Sequence, residues 1–233
     1  MKHIFTLTIA LICTCCSSAQ TDSLLQAAKK MSTSDTGLTK VYTKLAWAYF
    51  SSGDTASTLL YLKKSEALSM ALKFDNGLMN AYSNIGMYYT SFGASDSAVA
   101  YFSLCLEKAK ETNAVDVASK TCINIAGNYL GRANYAEAVR YYLEAMQYLD
   151  KINDPLKIAI NYHCLGIAYY MLRNYPLSLK YYYRSKEVGE KMGKPDESGY
   201  NDNGIGVVYK EMGKYDSALH YLDKANAATE KKT

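Results

Sequence analysis

The stretch IGVVYKEMGKYDSALHYLDKA, from Ile205 to Ala225, contains the residues that decide the fold. It holds an aliphatic–glycine pair, a tyrosine three residues after the glycine, and a second tyrosine twelve residues further on. The same arrangement, with glycine or alanine as the small residue of the pair, occurs five times in the chain. Each copy begins 40 residues after the previous one. Self-similarity at a fixed period is typical of repeat architectures, so the period is the first feature to explain.

Five columns of equivalent residues define the repeat. The small residue of the pair is Ala46, Gly86, Ala126, Gly166 and Gly206. The first tyrosine is Tyr49, Tyr89, Tyr129, Tyr169 and Tyr209, and the second is Tyr61, Tyr101, Tyr141, Tyr181 and Tyr221. A large apolar residue follows the second tyrosine, as Leu62, Phe102, Tyr142, Tyr182 and Leu222. Three residues after the large residue stands a small one, as Ser65, Cys105, Ala145, Ser185 and Ala225.

These columns predict two antiparallel helices of about 15–18 residues in each repeat. A small residue lets two helix backbones approach closely, and the rings then fill the volume beside that contact. Ten of the 23 tyrosines occupy the two tyrosine columns, which favours a packing role over a ligand platform. Turns are expected at Gly53, Gly93 and Gly213, and at Asn134 and Asn174 in the other two repeats.

The chain start predicts export. Lys2 and His3 form a basic region, Ile4–Cys13 is apolar, and Ser17-Ser18-Ala19 provides small residues before a cleavage site at Gln20. We expect a signal peptide at 1–19, hence a periplasmic or cell-envelope protein of a bacterium. Retention as an uncleaved anchor, or lipidation, stays open, and only then would the protein contact a membrane.

Two further segments follow the signal. A capping helix over 22–31 and a linker are predicted within residues 20–37. The repeat array takes 38–233, with repeats at about 39–76, 77–114, 115–154, 155–195 and 196–233. The net charge of +4 is spread along the chain, which argues against a nucleic-acid partner.

The columns resemble tetratricopeptide repeats in an extended, 40-residue form. The resemblance rests on Ile205-Gly206, Tyr209, Gly213, Tyr215, Ala218, Leu222 and Ala225, and on the same columns in the other repeats. It implies an all-α fold: a right-handed superhelical solenoid of five antiparallel helix pairs with an N-terminal capping helix. The signal, the lone helix and the extended repeats are also similar to the extracytoplasmic sensory part of bacterial two-component sensor kinases and helix-turn-helix regulators.

The resemblance implies that first helices line a concave groove for a protein or peptide. The expected partner-binding residues are Trp47, Asn84, Met87, Asn124, Ile167, Asn203 and Val207. Amides such as Asn84 and Asn124 would satisfy the backbone of an extended or helical peptide. Packing between helices is an equally favoured role for Trp47 and Met87. Gripping of a C-terminal carboxylate is rejected, because only Asn84 and Lys120 match the residues that this activity needs.

The sequence carries no convergent catalytic group, so we expect no catalytic residue, metal site or cofactor. His163 and His220 belong to different repeats, and Cys164 is expected to be a buried structural thiol. A Cys105–Cys122 disulfide stays open. An enzyme is therefore the least favoured class.

Two interpretations of function stay open: a binding scaffold that senses for a signalling system, and a periplasmic assembly factor for envelope proteins. The last repeat leaves one side of Tyr221, Leu222 and Ala225 without a following helix in this sequence. We expect there either a docking or self-association surface or a continuation into a longer product.

Overall fold

The computed structural model describes residues 21–193 and 195–230, without the side chains of 195–198. The predicted signal peptide, residues 1–19, lies outside these residues. Helix α1 occupies residues 21–30. The following helices are α2 (Gly37–Ser51), α3 (Thr55–Ala71), α4 (Asp75–Ser91), α5 (Ser95–Glu111), α6 (Val115–Gly131), α7 (Tyr135–Ile152), α8 (Pro155–Met171), α9 (Tyr175–Lys191), α10 (Pro195–Glu211) and α11 (Tyr215–Glu230).

The all-α prediction is confirmed, since the described residues contain helices and turns and no strand. The predicted first helices of the five repeats are α2, α4, α6, α8 and α10, and the second helices are α3, α5, α7, α9 and α11. The chain forms two compact units, one up to Lys108 and one from Ala109, so that the boundary falls inside α5. Within the described ranges, no helix has both the length and the apolar character needed to span a bilayer.

The tyrosine columns meet as a stacked pair in every repeat. The ring centroids are 5.4 to 5.8 Å apart and the ring planes lie within 23° of parallel. The pairs are Tyr49–Tyr61, Tyr89–Tyr101, Tyr129–Tyr141, Tyr169–Tyr181 and Tyr209–Tyr221. All ten rings are half-buried, which joins the two helices of a repeat while the hydroxyls stay near water. The predicted packing role of these tyrosines is confirmed.

The small column lies where the two helices of a repeat cross. A Cβ atom built on Gly86 would lie 2.7 Å from the ring of Phe102, and one on Gly166 would lie 2.6 Å from the ring of Tyr182. In the first repeat the same two columns hold Ala46 and the smaller Leu62, both fully buried. In the second and fourth repeats the absent side chain at the crossing therefore makes room for a ring on the opposite helix, whereas in the third repeat the ring of Tyr142 packs in one cluster with Ala126.

Hydroxyls and a thiol tie the second helix to the first. In three repeats, the side chain of the small residue after the large one donates a hydrogen bond to a backbone carbonyl of the first helix. The carbonyl lies 26 positions earlier in the sequence. The bonds run from Ser65 Oγ to Thr39 O (3.0 Å), from Cys105 Sγ to Met79 O (3.3 Å) and from Ser185 Oγ to Ala159 O (2.8 Å). Cys105 therefore takes the place of a serine in the packing, which is a structural role.

Turns of one geometry recur every 20 residues, both within and between repeats. The left-handed residue of each turn is Gly53, Lys73, Gly93, Asn113, Ala133, Asn153, Arg173, Gly193 and Gly213. In most of these turns the next N–H bonds to a carbonyl five residues back, as Asn134 N does to Tyr129 O at 2.9 Å. This bond satisfies a carbonyl at the end of the helix.

The predicted turns are confirmed at the three glycines and at both asparagines, and the asparagines differ from the glycines in their role. The left-handed residues are Ala133 and Arg173, each one position before the expected asparagine. Asn134 and Asn174 instead cap the next helix, and their side-chain oxygens accept from Glu137 N (3.5 Å) and Leu177 N (3.3 Å). A three-residue turn has room for one left-handed position, and asparagine is a strong N-cap.

Replacing Gly86 with alanine should destabilise the first unit by ~1–3 kcal/mol, because the new Cβ would press on Phe102. Adding Phe102→Leu recreates the Ala46–Leu62 pair. The loss of unfolding free energy in the double variant should therefore be smaller than the summed losses of the two single variants by about 1 kcal/mol. Urea unfolding followed by circular dichroism measures both. Gly127→Ala is the control: it faces open space on α6 and should stabilise by ~1 kcal/mol. Costs that simply add would contradict the crossing contact.

Changing Ala133 to glycine should stabilise the protein by roughly 0.5–1 kcal/mol, because Ala133 holds φ at 58°. The matched control is Ala67→Gly at an exposed position in the middle of α3, which should cost ~1 kcal/mol. Thermal unfolding of the two variants beside the parent protein is the measurement. A loss of stability in both would show that the turn does not require the left-handed conformation.

Candidate partner-binding surface

An aromatic cluster lies at the carboxyl ends of α2 and α4, the first helices of repeats one and two. We define it as Trp47, Phe50, Tyr88 and Phe92. Trp47 meets Phe50 edge-on at 5.1 Å between ring centroids, Phe50 meets Phe92 at 6.2 Å, and Tyr88 meets Phe92 at 4.9 Å. Rings in edge-to-face contact form a rigid apolar surface with few rotamers to lose on binding.

Asn84 holds Trp47 in place. The indole Nε1–H donates to Asn84 Oδ1 at 2.7 Å, across 37 residues of sequence. The Asn84 amide nitrogen donates in turn to Asn80 O (2.7 Å) and Asn80 Oδ1 (3.1 Å). The amide predicted to bind a peptide backbone therefore already has three bonds within the protein, and its oxygen keeps one further acceptor position.

Two apolar side chains of this surface stand out into solvent. Phe92, which follows the last residue of α4, is 52% exposed, and Met87, five residues earlier on α4, is 43% exposed. Exposed aromatic and methionine side chains beside a well-packed ring cluster are typical of protein interfaces. Of the seven predicted partner-binding residues, Trp47 belongs to the aromatic cluster, Asn84 bonds to it, and Met87 is exposed on α4 next to Tyr88.

The other four predicted residues belong to the second unit. Asn124 is half-buried on α6, and its carbonyl accepts from Asn128 Nδ2 at 3.0 Å. Ile167 packs against the cluster of Tyr182, Ile205 and Val208. Val207 is half-buried and Asn203 is exposed on α10. Ile167 is thus tied to the core of this unit.

His163 takes part in packing between repeats. Its Nδ1 lies 2.9 Å from Asn201 Oδ1, and its ring meets Tyr182 edge-on at 5.5 Å. Because an amide oxygen only accepts, the histidine Nδ1 carries the proton and donates. The bond joins α8 to α10, beside a depression of about 250 Å³ that Ala159, Ile160 and Tyr200 also line. His220 lies exposed on α11, in edge-on contact with Tyr221.

The thiols of the described residues are unsuited to nucleophilic chemistry. Cys105, Cys122 and Cys164 form no disulfide, so the structure does not contain the Cys105–Cys122 bond that the sequence left open. Cys164, which was predicted to be buried, is half-buried. Burial, with a smaller effect from Glu144, raises the pKa of the Cys122 thiol to about 12, and burial also raises the pKa of Cys164. Both thiols are protonated at neutral pH, whereas nucleophilic attack needs the thiolate. Among the residues that the structure describes, no cluster of acidic, histidine or cysteine side chains could hold a metal ion.

Lys120, which matched one carboxylate-gripping position, is occupied by an ion-pair network. Its Nζ lies 2.6 Å from Asp116, which also pairs with Lys157 at 2.8 Å. The hydrogen bonds from Lys120 and then Lys157 lower the pKa of the Asp116 carboxyl. An incoming carboxylate would have to compete with Asp116 for the Lys120 ammonium group.

Sequence reasoning missed Phe50, Tyr88 and Phe92 as parts of the surface. The signal that could have found them is an aromatic residue outside the repeat columns. The positions equivalent to Phe92 hold Ser52, Arg132, Leu172 and Met212, so the repeat does not require a ring there. An aromatic residue that the core does not need, and that stays exposed, is a candidate for binding.

Comparison with known proteins supports the repeat assignment. A family model described as tetratricopeptide repeat matches residues 80–111 and 203–231. These segments contain parts of the second and fifth repeats. No curated protein sequence matches the chain.

Solved structures of low sequence identity share the fold. BtubC (BKLC) from P. vanneervenii is 19% identical with a TM-score of 0.83, and the match covers 92% of this chain and 90% of that one. A STAND signal-transduction ATPase with a tetratricopeptide repeat sensor, from Pyrococcus horikoshii, is 18% identical with a TM-score of 0.69, over 90% of this chain and 35% of that one. A Rap protein in complex with Competence and Sporulation Factor is 15% identical with a TM-score of 0.66, over 91% and 59%.

These matches confirm a tetratricopeptide-type helical repeat, an architecture that is typically a non-catalytic scaffold for protein interaction. They indicate no catalytic family. The predicted likeness to sensor kinases is not among these matches, and it stays a prediction.

Alkylation of a chain that begins at Gln20 should show the state of the thiols. In native protein at pH 7.5, Cys105 and Cys122 should react with iodoacetamide far more slowly than a free thiol in solution, because both are buried and the thiolate of Cys122 is scarce. Unfolding without a reductant should then expose three reactive thiols, counted by mass spectrometry. Finding a single reactive thiol would mean that a disulfide forms and would contradict the structure.

Proposed function

We propose that this protein is an exported, non-catalytic scaffold that binds a protein or peptide at the aromatic cluster and serves as the sensing portion of a signalling system. The observation that carries the proposal is the exposed cluster itself. Its rings contact one another, Asn84 orients Trp47, and Phe92 and Met87 stand half-exposed beside them. Rigid aromatic anchors with exposed apolar neighbours carry much of the binding energy at protein interfaces.

The chemistry of the surface defines the partner. It offers ring faces and edges, a methionine, and one unused acceptor position on Asn84. A segment with an apolar anchor and a free N–H beside it would satisfy all three, as an extended peptide or the end of a helix does. The sensing role is supported by two structures of similar fold, one named for a tetratricopeptide repeat sensor and one solved in complex with Competence and Sporulation Factor.

Export rests on the sequence of the first 19 residues. The proposed mature chain begins at Gln20, after the small residues Ser17, Ser18 and Ala19. Mass spectrometry of the protein recovered from a fractionated bacterium checks both the cleavage site and the compartment. Recovery of the uncleaved chain from the cytoplasm would contradict export without affecting the binding surface.

Site-specific photocrosslinking tests the binding surface. A photoreactive phenylalanine analogue at Phe92 should capture a partner in intact cells, because that side chain stands out of the cluster. The same analogue at Met70, 58% exposed on α3 of the same unit and outside the cluster, is the matched control. Capture at position 92 alone supports the proposal, and equal capture at both positions, or at neither, refutes it. A captured signalling protein favours sensing, and an envelope component under assembly favours the assembly factor.

Trp47 provides a second measurement, because it is the chain's single tryptophan. Titration of the mature chain with the captured partner should shift the emission of Trp47, which lies at the surface that the partner covers. Phe92→Glu should weaken binding by about tenfold or more, since it places a charge in an apolar contact. Met70→Glu adds the same charge elsewhere on the unit and should leave the titration unchanged.

A further inference from the structure

The α10–α11 end face is a second surface, in the second unit, that resembles a helix-binding site. A depression of about 260 Å³ lies between these two helices. Its lining consists of Gly199, Tyr200, Asn203, Ala225, Asn226, Ala228 and Thr229. We use the name end face for these residues together with Leu219 on α11.

The same columns form a depression one repeat earlier, and there a helix covers them. Ala159, Ile160, His163 and Ser185 occupy the positions equivalent to Gly199, Tyr200, Asn203 and Ala225. The opposite wall of that earlier depression is Tyr200 and Asn201 of α10, and His163 bonds to Asn201 at 2.9 Å. The repeat therefore shows which kind of element fits these columns: a helix like α10.

The exposure of side chains along α11 shows that none of the described residues packs over this face. Leu219 is 61% exposed, whereas the equivalent Val139 is 8% exposed and Leu179 is half-buried. Thr229 is exposed, whereas the equivalent Leu149 is fully buried. Positions that the repeat uses for packing thus face outward on α11.

The helices that cover the two preceding repeats carry similar side chains at the same three positions: an asparagine, a leucine or isoleucine, and an alanine or valine. On α8 they are Asn161, Leu165 and Ala168, which pack with Val139 and Tyr142. On α10 they are Asn201, Ile205 and Val208, which pack with Leu179, Tyr182 and His163. Each set stands at positions i, i+4 and i+7, the spacing of a helix that binds in a groove. The amide also bonds to the helix pair beneath, as Asn161 Nδ2 does to Tyr142 O at 2.9 Å.

We propose that the end face binds an amphipathic helix of a partner protein that presents Asn-x3-(Leu/Ile)-x2-(Ala/Val) on one side. In this sequence the motif occurs only at Asn161 and Asn201. Both copies are buried inside their own unit, with Leu165 and Ile205 fully buried. A folded second copy of this chain therefore cannot supply the motif, and the occupant that we propose is a helix of another protein. The proposal does not depend on the aromatic cluster.

A synthetic peptide with the sequence of residues 195–211 tests the end face of the full mature chain. Labelled with fluorescein, it should bind saturably in an anisotropy titration, and hydrogen exchange should slow in residues 215–230. Leu219→Glu should weaken binding by about tenfold or more, because it places a charge at the exposed apolar position without touching the core. Leu60→Glu is the matched control, on α3 of the other unit with a half-exposed side chain, and should change nothing.

Two further controls test the specificity of the end face. A peptide with Ile205→Asp and Val208→Asp should not bind, since it lacks the apolar seam. The Phe92→Glu protein should bind the peptide like the parent, so that failure of the aromatic cluster and failure of the end face are distinguishable.

Three results would overturn the proposal. The first is no saturable binding by the parent protein, and the second is equal binding by the Leu219→Glu variant. The third is concentration-dependent dimerisation in sedimentation that Leu219→Glu abolishes, because a second copy would then be the occupant.

Discussion

The close crossing of two helices at a residue with almost no side chain is the contact on which the rest of the structure depends. A glycine or alanine on the first helix lets a ring or leucine of the second helix lie directly against the backbone, as Phe102 does at Gly86. The stacked tyrosines then pack beside that crossing in every repeat. Because neither helix can bury these rings alone, each pair forms only together with its neighbours.

The turns convert this local pairing into a regular array. A left-handed residue every 20 positions follows each helix from α2 to α10, whether or not the residue is glycine. Lys73, Ala133 and Arg173 accept the unfavourable conformation because the helices on both sides hold them there. Because the turns recur at a constant interval, equivalent residues occupy equivalent places in successive repeats. The helix that packs on one repeat can therefore indicate what would pack on the same positions of another.

The features that suggest function are apolar side chains that stay exposed. The tyrosine, small and large columns are used by packing, and Cys105 replaces a serine within that packing. The aromatic cluster uses a position whose residue type varies from repeat to repeat, such as 92, whereas the end face uses position 219, which is leucine or valine in every repeat. Phe92 and Leu219 are both exposed, so the described residues do not bury either side chain, and each is free to contact a partner.

The sequence by itself determined the period, the two helices of each repeat, their lengths and the packing role of ten tyrosines, because these features rest on short-range spacing repeated five times. Only the tertiary structure decided which residue of a turn is left-handed. Ala133 and Arg173 adopt the left-handed conformation, and Asn134 and Asn174 cap the helix that follows. It also decided that Trp47 bonds to Asn84 and that Phe50 meets Phe92. Those contacts join different repeats, and they depend on the rotation of each helix about its axis, which spacing along one chain does not fix.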